Sequence, residues 1–333
     1  MYLKQHSIPH CMSVYCKNFA LGFALICAQL TLSSASAQTS EPAAQTFQQA
    51  EALFEQGNNA YRKGDFQQAI RDFTQVIALY PNGEAYNNRG LAYRELKDYL
   101  SAIRDYTQAI ALNPNLADAY NNRGVAYNDL KDYASAIRDD TQAIALNPNF
   151  AQAYNNRGVA YNELKDYASA IRDYTKVIAL NPSYVLAYYN RGNVYREFKD
   201  YSSAIRDYTQ AIAFNPNDED AYDNRGVAYS NLKNYSSAIR DFTQAIVLNP
   251  NYAVVYYNRG GTYNDLKDYA SAIRDYTQAI ALNPNYADAY HNRAASFASK
   301  NDYRNATRDA RKACSLGGCE ALEYLRQNGW VRD

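Results

Sequence analysis

The side chains whose number and spacing best suit chemistry are carboxamides. Asn88, Asn122, Asn156, Asn190, Asn224, Asn258 and Asn292 follow one another at a fixed interval of 34 residues. A carboxamide carries both donors and an acceptor. A row of them on one face can therefore pair with the backbone of an extended peptide, whatever that peptide's side chains. The same row can instead cap or bridge neighbouring elements, and the two roles can coexist. Just before the row stand Asn87, Asn121 and Asn155, then Tyr189, Asp223, Tyr257 and His291. Tyr189 and Tyr257 sit beside Tyr188 and Tyr256, so they are either rings offered to a ligand or plain surface tyrosines. These nine residues, the seven asparagines with Tyr189 and Tyr257, are the candidate binding set.

An arginine follows each asparagine of the row, from Arg89 to Arg293, and an aspartate stands 16 residues later, from Asp105 to Asp309. Across two antiparallel helices that spacing suits an ion pair, one that fixes register more than it adds stability. A row of arginines for an anionic ligand is the alternative, and the equal number of aspartates argues against it. The first copy departs, with Asp72 present but Gln56 in the arginine's place. Catalytic and metal chemistry have little to work with. The histidines are His6, His10 and His291. No G-x-x-x-x-G-K-[ST], H-E-x-x-H, G-x-S-x-G or paired C-x-x-C occurs. No catalytic residue, cofactor-binding residue, cofactor or metal is expected, and the chain does not read as an enzyme.

Composition narrows the partners. The 34 Lys plus Arg balance 34 Asp plus Glu, so the basic excess of a nucleic-acid binder is missing. Lys4 and Lys17 precede an almost wholly apolar run from Phe19 to Leu30, followed by Ser33-Ser34-Ala35-Ser36-Ala37. That is the pattern of an export signal cleaved after about Ala37. The run is short for a membrane span, so no stable membrane insertion is expected after processing; an uncleaved anchor is the alternative. Residues 38–48 read as a polar linker. Processing would leave Cys314 and Cys319 as the remaining cysteines, in an oxidising compartment such as the periplasm or the exterior, where disulfides persist. They flank Gly317-Gly318 as a bonded pair or as two thiols.

The elements that must position these residues follow from the period. The Asn-Arg-Gly unit recurs every 34 residues, and a degenerate copy around Gly57 lies one residue short of register. Eight copies span residues 50–320, divided as 50–82, 83–116, 117–150, 151–184, 185–218, 219–252, 253–286 and 287–320. A fixed period of this length means a stacked array. In the third copy Tyr120, Gly124 and Tyr127 form one helical stripe. Lys131-Asp132 makes a turn, and Tyr133, Ala136, Ile137, Ala143 and Ile144 form a second stripe. Asn147-Pro148 stops the second helix. Each copy is thus a helical hairpin that buries its apolar faces only against a neighbour. Gly124 costs about 1 kcal/mol in mid-helix, and a close approach to Ala136 on the partner helix would account for it. Tyr120, Tyr127 and Tyr133 read as core residues with hydroxyls at the surface.

The spacing of Tyr120, Gly124, Tyr127, Tyr133, Ala136, Ala143 and Pro148 resembles the tetratricopeptide repeat. The resemblance covers all eight copies. It implies an all-α, right-handed α-solenoid whose first helices line a concave groove and whose second helices form the outer face. It also implies a protein-interaction scaffold, with the Asn122 row in the groove. The expected function is an exported scaffold that binds extended segments of other proteins, with envelope assembly as its setting. A structural adaptor, or an array that self-associates through its outer face or ends, is the second reading, and oligomeric state stays open. Two departures stand out. Asp140 occupies a place that holds an aromatic in copies one, two and four to seven, and a carboxylate there should weaken the third copy. The last copy has Ala294 and Ala310 in place of Gly and Tyr types, and residues 319–333 read as a capping helix and tail.

Overall fold

The computed structural model describes residues 37–331, with side chains described from residue 44. The export signal expected over residues 1–37 lies, but for Ala37, outside the described residues. Among the described residues there are seventeen helices and no strands, the all-α class expected. The described residues form two compact units, divided between Leu112 and Asn113, and each is a stack of helical hairpins. The first unit holds α1 (Ala37–Arg62), α2 (Phe66–Leu79), α3 (Gly83–Glu95) and α4 (Tyr99–Leu112). The second begins with α5 (Ala117–Asp129), α6 (Tyr133–Leu146), α7 (Ala151–Glu163), α8 (Tyr167–Leu180), α9 (Val185–Glu197) and α10 (Tyr201–Phe214). It continues with α11 (Glu219–Asn231), α12 (Tyr235–Leu248), α13 (Ala253–Asp265), α14 (Tyr269–Leu282), α15 (Ala287–Ser299), α16 (Tyr303–Ser315) and α17 (Glu320–Gln327). Residues 38–48, expected as a linker, are helical and form the leading part of α1. Ala43, Ala44, Gln45 and Gln48 are good helix formers and let that helix run on from its packed end.

The turn inside each hairpin is built from three residues. Leu130 closes α5, Lys131 takes φ 62°, and Asp132 caps α6. The Asp132 N–H donates to the Tyr127 carbonyl at 2.9 Å and the Lys131 N–H to that of Asn128 at 2.9 Å, so orphan carbonyls are satisfied by a Schellman-type close. The Asp132 carboxylate then accepts from the Ser135 N–H at 3.1 Å, satisfying an orphan donor. The same cap recurs at Asp98, Asp166, Asp200 and Asp268.

The mid-helix glycines face side chains of the second helix, rings in most copies. Gly124 lies under Asp140, and its expected close approach to Ala136 is present, with a Cβ there 3.3 Å from the Ala136 carbonyl oxygen. A Cβ on Gly90, Gly158, Gly192, Gly226 or Gly260 would lie 2.7–2.9 Å from a ring atom of Tyr106, Tyr174, Tyr208, Phe242 or Tyr276. Those rings come from the second helix and are at most 1% exposed. Tyr120, Tyr127 and Tyr133, expected as core, are only half-buried. The centre of each hairpin is filled from the second helix, and glycine is the floor on which the ring lies. The last hairpin keeps the rule in reverse: Ala310 supplies no ring, and Ala294 supplies a methyl in glycine's place, both buried. The stack ends where Leu322 and Leu325 of α17 pack on Ala294, Ala306 and Ala310.

Within the second unit, successive first helices touch one another from α5 to α15, whereas successive second helices do not. This stack therefore bends with its first helices on the inside.

Candidate functional site

The asparagine row lies on the first helices, and its side chains are engaged inside the stack. The Asn156 amide donates to Asn121 Oδ1 at 2.9 Å, that of Asn190 to Asn155 Oδ1 at 3.4 Å, and that of Asn258 to Asp223 Oδ1 at 2.9 Å. Asn224 and Asn292 donate to the hydroxyls of Tyr189 and Tyr257 at 2.9 and 3.0 Å. In each case the acceptor is 35 residues earlier, one repeat plus one position. Stacking brings the row residue of one hairpin over the preceding residue of the hairpin before it. In the first unit Asn88 instead donates to Asn58 at 3.1 Å, because Phe54 takes the acceptor's place in the first copy. Asn122 is half-buried on α5. The row is thus a hydrogen-bonded seam between hairpins, and its amide donors are not simply turned outward to a peptide.

Tyr189 and Tyr257 belong to the same seam. Neither is a plain surface residue. The Tyr189 ring meets Tyr208 edge-on, with centroids 6.0 Å apart, and burial beside Asp220 pushes its hydroxyl up to about 12. Tyr257 lies against Tyr286 at 5.0 Å. Asp223, a third acceptor of this kind, is 3% exposed, and burial pushes its carboxyl up to about 6 despite the Asn258 amide. The signal that could have found the seam was present in the sequence: the varied column of Asn121, Asn155, Tyr189, Asp223 and Tyr257 consists entirely of hydrogen-bond acceptors.

The arginines make the expected ion pairs. Arg89, Arg123, Arg157, Arg191, Arg225, Arg259 and Arg293 each hold their aspartate through Nε at 2.6–2.8 Å. A second bond from Nη2 makes each pair bidentate, as in Arg157 with Asp173 at 2.8 Å, and such forks fix geometry. Several also reach back one hairpin, as Arg157 Nη1 does to Thr141 at 3.0 Å. In the first copy, where Gln56 replaces the arginine, Gln68 serves Asp72 instead at 2.7 Å.

On the inner face of the second unit a cavity of about 360 Å³ opens between α11 and α13. Tyr257, Asn258 and Asn292 line it, with Val227, Gly261 and Thr262. Members of the row thus serve the seam and border an open hollow at once. A Cβ on Gly261 would meet only the Tyr276 hydroxyl, at 3.8 Å, so the wall there has room. Cys314 and Cys319 are joined as a disulfide across Gly317-Gly318. Among the described residues no cluster of three or more His, Cys, Asp or Glu could hold a metal ion, and no helix is long and apolar enough to cross a membrane.

Comparison with known proteins agrees with this architecture. The tetratricopeptide repeat family matches residues 83–116, 117–150, 151–184, 185–218, 220–252 and 253–286, and a second form of the same repeat matches residues 50–82. The last hairpin, α15 with α16, lies outside the matched segments. A search of curated proteins gives no match. Among solved structures, a tetratricopeptide repeat protein from Parabacteroides merdae is 22% identical with a TM-score of 0.55, covering 75% of this chain and 99% of that one. YrrB, described as a TPR protein with an unusual peptide-binding site, is 24% identical with a TM-score of 0.51, covering 56% of this chain and 96% of that one. The Cut9–Hcn1 assembly of APC/C is 20% identical with a TM-score of 0.55, covering 79% of this chain and 52% of that one. At these identities the likeness is one of fold.

Proposed function

The chain belongs to the tetratricopeptide repeat family, a family of protein-interaction scaffolds, and from that premise we propose that it is an exported scaffold holding extended polypeptide segments along the inner face of residues 113–331. The observation that carries this reading is the hollow between α11 and α13 on the inside of the bend, bordered by Tyr257, Asn258 and Asn292. Its walls are rings and carboxamides held in place by their neighbours, so little ordering remains to be done on binding. A role in envelope assembly goes with export. The disulfide of Cys314 and Cys319 supports an oxidising compartment.

Replacing row asparagines tests this poorly, because it also cuts the seam. Gly261→Gln is the better variant: it projects into the hollow from a wall with space and leaves every hydrogen bond of the seam in place. Photo-crosslinking from a probe at Val227, in cells, should yield discrete polypeptide adducts that Gly261→Gln abolishes while the melting curve stays unchanged. Adducts of equal yield in both proteins would discard the groove as the binding site. N-terminal sequencing of the protein from the envelope fraction should begin at Gln38, and an intact N-terminus there would favour the anchored form.

A further inference from the structure

The last hairpin departs from the pattern on its second helix. Arg308 stands where each earlier second helix also has an arginine, as Arg138 does in α6. Arg304 and Arg311 stand where α6 has Ala134 and Thr141, and none of the other second helices carries a cation at either place. The three fall at i, i+4 and i+7, on one face of α16. The opposite face, Ala306, Ala310 and Ala313, is buried. After α17 the chain turns at Gly329, φ 73°, and the Trp330 N–H donates to the Leu325 carbonyl at 3.0 Å. That turn stacks Trp330 on Tyr303, ring centroids 4.6 Å apart. The product is a cleft of about 470 Å³ lined by Tyr303, Arg304, Thr307, Arg308, Arg311 and Trp330. Three guanidinium groups line it and no carboxylate does. Arg308 leans toward Asp309 at 3.3 Å, but Arg293 already holds that carboxylate at 2.6 and 3.1 Å.

We propose that this cleft binds an acidic, extended segment of a partner polypeptide, with Arg304, Arg308 and Arg311 taking successive carboxylates and Trp330 packing against the chain. Spacing selects that ligand. At a rise of ~1.5 Å per residue the three arginines leave α16 over about 10 Å, and alternate side chains of an extended chain recur every ~6.8 Å. Three carboxylates on one edge of such a chain span ~13.6 Å. Long arginine side chains that splay at the two ends cover that difference and meet them in turn, each fork able to pair in bidentate fashion. A single phosphate would need all three to converge on one point. The inner face of the same unit has the opposite character. On α5, α7, α9, α11, α13 and α15 the arginines are paired with aspartates, and Arg196, the one further cation, pairs with Glu197 at 3.1 Å. Asp220, Asp223, Asp265 and Asp288 remain there. An acidic segment is thus steered away from the groove and toward the end cleft.

Trp330 is the chain's single tryptophan, so its emission reports the cleft directly. The full chain would be titrated at low salt with an unstructured peptide of alternating Glu and Ser, with matched Lys–Ser and Gln–Ser peptides, and with inorganic phosphate. The expected result is a saturable change in Trp330 emission with the Glu–Ser peptide alone, weakened by added salt. Binding should fall by roughly tenfold or more in Arg304→Gln/Arg311→Gln, two exposed positions whose replacement leaves the melting curve unchanged. An unweakened double variant, an equal response to the Gln–Ser or Lys–Ser peptide, or no response to any of them overturns the proposal. Inorganic phosphate that competes as well as the peptide at equal charge overturns the extended-segment assignment. An emission change that follows protein concentration without peptide overturns it in favour of a second copy of this chain.

Discussion

Repeats three and four are almost the same hairpin with different centres. Residues 121–148 and 155–182 differ only at Asp129/Glu163, Asp140/Tyr174, Gln142/Lys176 and Ala143/Val177. Their turns, caps and bidentate ion pairs coincide. In repeat four the Tyr174 ring lies over Gly158, which leaves 2.8 Å to a would-be Cβ. In repeat three the Asp140 carboxylate lies over Gly124, at 2.9 Å from its Oδ1. Asp140 is fully buried, and neither of its oxygens has a hydrogen-bond partner. Burial pushes its carboxyl well above the ordinary carboxylate range, with Asp139 and Asp173 adding to the shift and Arg157 opposing it. Hairpin geometry therefore does not need the central ring. Turns and ion pairs set the shape, and the ring adds stability to a shape already specified. In a stack, whose stability is close to a sum of local terms, repeat three is the weak layer.

Moving the difference from one repeat to the other gives the largest effect. Tyr174→Asp should destabilise repeat four by about 4 kcal/mol, through the lost ring and a second unpartnered carboxyl. Hydrogen exchange would locate the loss in α7 and α8; an unchanged protection pattern there would break the comparison. Next come the glycines. Gly158→Ala should cost about 2 kcal/mol, because a methyl meets a packed ring. Gly124→Ala should cost less than half of that, since a carboxylate end yields more easily and alanine regains helix propensity of about 1 kcal/mol. Urea melts of the two variants would rank them, and equal losses would mean that the ring does not set the glycine requirement.

The converse exchange, Asp140→Tyr, should stabilise repeat three by about 1–2 kcal/mol and raise the melting temperature. Its gain should also depend on pH. Burial makes the folded chain hold the Asp140 proton more tightly than the unfolded chain, where a carboxyl titrates near ~3.9. The stability contributed by that proton is complete below the unfolded value and is lost as pH rises through the raised folded value. Asp139 and Asp173, which face it, are held by Arg123 and Arg157 at 2.7 and 2.8 Å. The gap between Asp140→Tyr and the parent should therefore widen from acid to neutral pH; melting curves showing a constant gap would remove Asp140 as the cause. The smallest effect should be shared by both repeats. Lys131 and Lys165 both sit at φ 62°, where glycine avoids the side-chain clash. Gly64 already takes this conformation in the first copy, at φ 78°. Lys131→Gly and Lys165→Gly should each add about 0.5 kcal/mol, and unequal gains in thermal melts would mean that the two turns are not equivalent.

The sequence by itself determined whatever depends on short range and on a fixed period. Helices, their turns at Lys131-Asp132 and their stops at Asn147-Pro148 were legible because caps and breakers act within a few residues. The Arg157–Asp173 pair was legible because both partners lie in one hairpin, at a separation every copy repeats. The weak centre at Asp140 could be read as a break in a column. Tertiary structure decided the rest. Asn156 meets Asn121, and Asn224 meets Tyr189, only because neighbouring hairpins stack with an offset of one position, a register that no single hairpin contains. The approach of Gly124 to Ala136 followed from the facing helices, but the ring over the other glycines did not: helical spacing says which face a residue occupies, and only packing decides that a Tyr174 ring reaches across to Gly158. Likewise Arg304, Arg308 and Arg311 share a helix face by spacing alone, yet they become a cleft only when Gly329 turns the chain and returns Trp330 to Tyr303. Local rules fix elements, and the contacts between elements depend on their packing register, which the whole stack must settle together.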